Sequence, residues 1–123
     1  MKNTEDNPPL NPVVLDQIRE MANHNNQTLL LLLDSFLSDV EKLTAEIETT
    51  ISNGNLTQVK TLNHTLKGLC GTIGATKMHN ISVALDLILK KNDLTHLDIF
   101  IDSIKKEYYR CRSYIEEISK NSI

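Results

Sequence analysis

The segment TLLLLLDSFLSDVEKLTAEIETTISNGN, residues 28–55, decides the fold of this chain. Its apolar residues recur every three or four positions, which places them on one face of an α-helix. They are Leu33, Phe36, Leu37, Val40, Leu43, Ile47 and Ile51. The polar run at 52–55 ends the pattern, and Gly54 suits the left-handed conformation that often closes a helix. The segment therefore predicts one long amphipathic helix from Thr28 to about Ile51.

The leucines at 29–33 cover every face of this helix. A bundle core needs one face only, so we expect the run to pack under a neighbouring N-terminal helix; the alternative is that an exposed part of it forms a docking patch. The run is far too short to cross a membrane, and the first residues, MKNTEDNPPL, lack the apolar stretch of a secretory signal. We therefore expect a cytoplasmic protein.

The residues before this segment predict a short helix. Asn11 followed by Pro12 is typical of an N-cap and a first helical position, and the helix opened there extends to about Ala22. Residues 1–10 are polar and contain prolines, so we expect a flexible lead-in there, followed by a single domain over residues 11–120.

The residues after the long helix predict three more amphipathic helices, and Asn92 and Asp93 are expected to cap the last of them. The helices cover about 56–73, 77–91 and 94–119. The apolar spacing predicts that the second of these buries Met78, Ile81, Ala84, Leu85 and Ile88, and that Tyr108 belongs to the apolar stripe of the third. Short connections between long helices favour antiparallel neighbours. The sequence therefore predicts an all-α fold, an antiparallel up-down four-helix bundle with an additional short N-terminal helix.

Composition limits the partners of the chain. Its 123 residues suffice for one domain, and 40% of them are hydrophobic. A formal net charge of −3 with scattered lysines and arginines gives no electrostatic case for binding nucleic acid. Cys70 and Cys111 form no CxxC pair, so reduced thiols are expected. A bundle with its own core is expected to be a monomer.

The stretch HTLKGLCG at 64–71 places two glycines inside a predicted helix, where each costs roughly 1 kcal/mol relative to alanine. The apolar stripe of this helix points about 175° away from His64, so the histidine faces water. Lys67, Gly68 and Gly71 follow it on the same face, and Lys60 lies one turn before. Side chains at 68 or 71 would obstruct a partner that approaches the imidazole, so the glycines are interpreted as open space.

This group of residues suits a phosphoryl group. Imidazole is a good nucleophile near neutral pH, and a phosphoryl group on it adds a charge near −2, which Lys67 and Lys60 can offset. The phosphorus–nitrogen bond has a high transfer potential, so the group can be passed on. The residues therefore indicate a phosphoryl carrier more than an autonomous enzyme.

The motif NHTLKGLCGTIGA resembles the signature of the histidine-containing phosphotransfer (HPt) domain family. The matching residues are His64, Leu66, Lys67, Gly68, Gly74 and Ala75. The segment at 29–55 resembles the preceding helix of the family, and Leu85-Asp86 lies where the family often has Leu-Glu. Asn63 replaces a common alanine, and Leu69-Cys70 replaces a common small polar pair.

The resemblance implies a phosphorelay intermediate. His64 would accept a phosphoryl group from a receiver-domain aspartate or a kinase and pass it to a response-regulator aspartate, with Lys67 and Gly68 at the reacting group and Lys60 and Gly71 supporting the surface. The implied partners are receiver domains and a hybrid sensor histidine kinase. In such pairs Mg²⁺ belongs to the receiver, so no cofactor is expected on this chain.

Two other functions remain open from the residues alone. The phosphoacceptor helices of a sensor kinase usually have an acidic residue directly after the histidine and a proline five positions later, where this chain has Thr65 and Leu69. A helical adaptor that carries no phosphate predicts a dispensable His64. A metal site is disfavoured, because His24, His79 and His96 lack the spacing of ligand pairs.

Overall fold

The computed structural model describes residues 7–93 and 95–121, and within these ranges it contains five α-helices and no strand. The helices are α1 (Pro12–Met21), α2 (Asn26–Ser52), α3 (Leu56–Ile73), α4 (Thr76–Lys90) and α5 (Leu97–Asn121). None of the described helices is both long enough and apolar enough to span a membrane. The all-α prediction is confirmed.

The four long helices form a closed bundle. Helix α2 packs against α3 and α5, α4 packs against the same two helices, and the short α1 contacts α2 and α3. Each long helix thus covers its apolar stripe with two neighbours, as expected for an up-down bundle with short connections. The predicted four-helix bundle with an additional N-terminal helix is confirmed.

Asparagine side chains begin three of the helices. Asn11 accepts hydrogen bonds from the backbone N–H groups of Val13 and Val14, and Asn25 and Asn55 cap α2 and α3 in the same way. These carboxamide oxygens satisfy N–H groups that have no partner within the helix. Gly74 ends α3 in the left-handed conformation, with φ 77°.

Two predicted helix starts differ from the structure by two residues or more. Helix α2 begins at Asn26 rather than Thr28, because the Asn25 side chain caps it at the backbone N–H of Thr28. Helix α5 begins at Leu97, and the predicted start at 94 falls on a residue outside the described ranges. Asp93 accepts hydrogen bonds from Thr95 instead of capping the helix.

The residues that α4 buries differ from the predicted ones. Its fully buried residues are Met78, Ser82, Leu85 and Leu89. Ala84 was predicted to lie in the core and is exposed. Ser82 lies on the inward side together with Met78, Leu85 and Leu89, and its backbone carbonyl accepts a hydrogen bond from Asn63 of α3, which links the two helices.

The leucine run divides between core and solvent. Leu29 and Leu33 are buried, whereas 70% of Leu31 and 43% of Leu32 are exposed. The helix period explains the division, since α2 turns only one side to the bundle. The expected packing therefore holds for part of the run, and the remainder is an apolar surface.

The segment before α1 contacts the bundle. Leu10 is fully buried, and the backbone carbonyl of Asn7 accepts a hydrogen bond from the Arg110 guanidinium at 2.9 Å. The backbone N–H of Asn11 donates to the carbonyl of Gly74 at 2.8 Å. Contacts with the bundle therefore begin before the predicted domain boundary at residue 11, while residues 1–6 of the predicted lead-in lie outside the described residues.

Candidate functional site

His64 lies on the outward face of α3. Its side chain is exposed, whereas Leu66 and Cys70 on the opposite side of the same helix are fully buried. The helical period produces this arrangement, because residues two and six positions later point away from the histidine. The solvent-facing position predicted for His64 is confirmed.

Lys67 is held by an acidic residue of the neighbouring helix. Its Nζ donates a hydrogen bond to Oδ2 of Asp86 on α4 at 3.2 Å, and both side chains are partly buried. Lys90, one turn further along α4, places its Nζ 3.8 Å from the same oxygen. One carboxylate thus gathers two ammonium groups at the seam between α3 and α4.

The surroundings of Asp86 favour its charged form. Desolvation by burial raises the pKa of this carboxyl group, but the hydrogen bond from Lys67 and the positive charges of Lys67, Lys90 and His64 outweigh burial and leave the pKa below its usual range.

Lys60, one turn before His64 on α3, forms a hydrogen bond with a residue that follows α4. Its Nζ donates to Oδ1 of Asn92 at 3.3 Å, which links α3 to the connection between α4 and α5. The pairing is exposed and has no charged acceptor, so the ammonium charge is not neutralised by it. Lys60 therefore keeps a charge that can act on an anion near His64.

The two glycines of α3 have different surroundings. A Cβ atom at Gly68 would meet nothing within 4 Å, so the backbone there is open to solvent. A Cβ atom at Gly71 would lie 3.3 Å from Nδ1 of His79 on α4. Gly71 is exposed, but the imidazole of His79 borders its Cβ position, so this glycine also makes room for α4 and its role as open space for a partner stays a prediction.

His79 also bonds the backbone of α3. Its Nδ1 lies 3.0 Å from the carbonyl oxygen of Lys67. A carbonyl oxygen only accepts, so Nδ1 must carry the proton that this bond requires. Helix α4 consequently holds Lys67 at two points, the backbone through His79 and the ammonium through Asp86.

Asn63, directly before His64, lies inside the protein. It is fully buried, and its Nδ2 donates to the carbonyl of Ser82 at 3.0 Å. Asn63 Oδ1 and Ser82 Oγ, both buried, have no hydrogen-bond partner in the described part of the chain. Since this side chain faces α4 and not the solvent, it acts on the helix pairing beneath His64.

Three residues that surround Lys67 are not predicted from the sequence to take part in the site. In the sequence Asp86 matches only a family pattern, Lys90 has no predicted role, and His79 is a candidate only for a metal ligand. Asp86 and Lys90 stand four positions apart on α4, a spacing typical of helical ion pairs. The spacing therefore indicates an ion pair between Asp86 and Lys90. No local sequence pattern connects α4 to Lys67.

The site is an open helix surface. A groove between the N-terminal segment and α5 is lined by Pro9, Tyr109 and Arg110 among others, and His64 takes no part in it. Among residues 7–93 and 95–121, no group of histidines, cysteines and carboxylates has the arrangement of a metal site. His64 therefore lies on the exposed surface of α3, outside this groove.

The two cysteines lie away from this surface. Cys70 and Cys111 are buried, free thiols. Desolvation, with a smaller contribution from Cys111, raises the pKa of Cys70 to about 12. Desolvation and the charge of Glu107 raise the pKa of Cys111 to about 12 against the opposing charge of Arg110. Neither thiol takes part in the chemistry of the site at neutral pH.

Comparisons with known proteins agree with this architecture. The model of a protein family described as "Hpt domain" matches residues 31–120. The chain is similar in fold to the crystal structure of histidine-containing phosphotransfer protein B (HptB) from Pseudomonas aeruginosa PAO1, with a TM-score of 0.83 and 20% sequence identity over 92% of this chain and 96% of that one. No curated protein sequence matches the chain.

Proposed function

Because this chain belongs to the Hpt domain family, we propose that it is a phosphorelay intermediate whose phosphoacceptor is His64. It accepts a phosphoryl group from the aspartate of a receiver domain, or from a kinase, and passes it to the aspartate of a response regulator. The partners are response-regulator receiver domains and a hybrid sensor histidine kinase. The observation that carries the proposal is an exposed imidazole beside open backbone at Gly68 and a lysine one turn away.

The transfer step is a displacement at phosphorus. The lone pair of an unprotonated imidazole nitrogen of His64 forms a bond to phosphorus, while the bond between phosphorus and the aspartyl oxygen breaks and its electrons return to the carboxylate. The other ring nitrogen keeps its proton. The receiver supplies the Mg²⁺ and the acyl phosphate, and this chain binds no cofactor of its own.

The residues of this chain contribute position and charge. A rigid helix presents the imidazole at a fixed orientation, which lowers the entropic cost of bringing it to the acyl phosphate. The phosphoryl group on the product carries a charge near −2, and we expect Lys67 and Lys60, each one turn from His64 along α3, to offset it. Both contributions belong to a carrier, because neither breaks a bond by itself.

Transfer of a radiolabelled phosphoryl group tests the proposal. Receiver domains are first phosphorylated with labelled acetyl phosphate and Mg²⁺, then mixed with this chain. We expect the label to move to the chain in a form that is stable to alkali and lost in acid, as for phosphohistidine. A helical adaptor that binds receivers without carrying phosphate would acquire no label, which would contradict the proposal.

The stability of a Gly68 variant tests whether the fold requires glycine at this position, and we expect that it does not. Gly68→Ala should raise the free energy of unfolding by about 0.5–1 kcal/mol in urea titrations, because alanine favours the helix and its Cβ meets nothing within 4 Å. Gly71→Ala is the matched control. It should gain less, because its Cβ would lie 3.3 Å from the His79 ring.

Substitution of Gly68 should lower the rate of phosphoryl transfer, although it does not lower the stability of the fold. Gly68→Gln places a long side chain beside the imidazole, so we expect slower transfer from a phosphorylated receiver although the helix is no less stable. Normal transfer rates in this variant would show that open space at residue 68 is unimportant for docking.

A further inference from the structure

Asp86 is positioned to compete with a phosphorylated His64. Its Oδ2 lies 3.2 Å from Nζ of Lys67 and 3.8 Å from Nζ of Lys90. The ammonium group that is placed to offset a phosphoryl charge is therefore already paired in the unphosphorylated protein. Any phosphoryl group on His64 must share Lys67 with this carboxylate.

We propose that Asp86 is a positioning residue that sets the phosphoryl-transfer equilibrium by competing with phosphorylated His64 for Lys67. This inference rests on the proposed function of His64. Lys67 pairs with Asp86 while the imidazole is free, and it turns to the phosphoryl group when the phosphorus–nitrogen bond has formed. Asp86 then keeps Lys90 as its counter-ion.

The competition acts on one side of the equilibrium only. The reaction converts the imidazole of His64 and the aspartyl phosphate of the receiver into phosphohistidine and a free receiver carboxylate. The contact between Lys67 and Asp86 breaks when His64 becomes phosphorylated and forms again when the phosphoryl group leaves. The loss of this contact therefore makes the phosphorylated chain less stable. Asp86 thereby keeps the phosphoryl group easy to hand on to the next receiver.

His79 confines the exchange to the side chain of Lys67. Its imidazole bonds the Lys67 carbonyl at 3.0 Å and lies over Gly71, so the backbone of this turn is fixed to α4. The flexible stem of lysine allows its ammonium group to move between two nearby anions while its Cα stays in place. The helix does not have to deform for the exchange.

The equilibrium between the wild-type chain and one phosphorylated receiver tests the inference. Labelled receiver is mixed with an equal amount of this chain, and the distribution of label is measured once it no longer changes. Asp86→Asn should shift the distribution toward the phosphorylated chain by about two- to fivefold, the range that a partly exposed ion pair provides. Asp86→Glu, which restores the charge, should return it toward the wild-type value.

Two controls separate this effect from general changes of charge. Asp102→Asn removes one negative charge from an exposed position on α5, a helix that does not contact α3, and should leave the equilibrium unchanged. Lys90→Gln leaves Lys67 as the remaining counter-ion of Asp86 in this cluster, so it should shift the equilibrium toward the phosphorylated receiver. Thermal unfolding followed by circular dichroism shows that each variant is folded.

A double-mutant cycle decides whether Asp86 acts through Lys67. In a Lys67→Gln background, Asp86→Asn should no longer shift the equilibrium. An equal shift in both backgrounds, or none in the single variant, would overturn the inference while labelling of wild-type His64 still supported the proposed function. Absence of label from the wild-type chain would instead contradict the proposed function itself.

Discussion

We expect the His64→Gln protein to take up no phosphoryl group from any phosphorylated receiver domain. Glutamine keeps a polar side chain of similar reach but has an amide nitrogen whose lone pair is delocalised, so no nucleophile remains. The imidazole is exposed, and substitutions at exposed positions usually change the free energy of unfolding by less than about 0.5 kcal/mol. Acid-labile label on the chain after mixing with a labelled receiver is the measurement.

The other histidines of the chain provide the controls. His24 and His96 lie outside the site and have φ angles of 58° and 65°, in the left-handed region that asparagine tolerates. His24→Asn and His96→Asn should therefore be labelled as well as the wild-type protein. Label that persists in His64→Gln and disappears when one of these histidines is also replaced would assign the phosphoacceptor elsewhere.

Gly74→Ala should give the largest loss of stability, about 2–5 kcal/mol. Gly74 has a φ of 77°, which disfavours any residue with a Cβ, and a Cβ there would lie 2.8 Å from Cβ of Val14 on α1. Its carbonyl also accepts the hydrogen bond from Asn11. The substitution therefore strains the end of α3 and displaces the beginning of α1. Urea unfolding followed by circular dichroism measures the effect.

Gly54→Ala is the matched control for this prediction. Gly54 has nearly the same backbone conformation, with a φ of 72°, but nothing lies within 4 Å of its Cβ position. Its substitution should cost only the conformational strain, about 1–2 kcal/mol. The difference between the two variants isolates the contact with Val14. Equal losses would mean that α1 moves away without cost.

The helices and the outward position of His64 follow from the sequence because both depend on local spacing. A period of 3.6 residues places Leu66 and Cys70 inward once α3 is helical, and the histidine must then face solvent. The left-handed end at Gly74 is equally local, since glycine avoids the steric penalty of a Cβ. Features of this kind need no knowledge of which helices become neighbours.

The contacts made by α4 depend on its neighbours and could not be predicted in the same way. In the observed register of α4 against α3, the backbone carbonyl of Ser82 accepts a hydrogen bond from Asn63, and Ala84, two positions later, is exposed although the apolar pattern placed it in the core. The position of His79 over Gly71 and the pairing of Lys67 with Asp86 result from that same register. Each joins residues more than seven positions apart in the chain, where helical spacing carries no information.

The apolar pattern also fails to predict which charged side chains are buried. Periodicity along α5 assigned Tyr108 to the core, yet Glu107 is the more deeply buried of the two and Tyr108 remains partly exposed. Glu107 is held by Arg110 at 2.7 Å and faces Lys77 of α4 at 3.7 Å. A carboxylate is accommodated in this interior because cations from two helices meet it there. The spacing of Glu107 and Arg110 on α5 is local, whereas the contact with Lys77 exists only once α4 and α5 are packed together.

The burial of Cys70 and Cys111 has a practical consequence for experiments on docking. With pKa values near 12, these thiols exist almost entirely in the protonated form at neutral pH, and they are shielded from reagents by the bundle. A cysteine introduced on the solvent-facing side of α3 would react selectively with a maleimide dye. Fluorescence from that probe would report receiver binding without removal of either native cysteine.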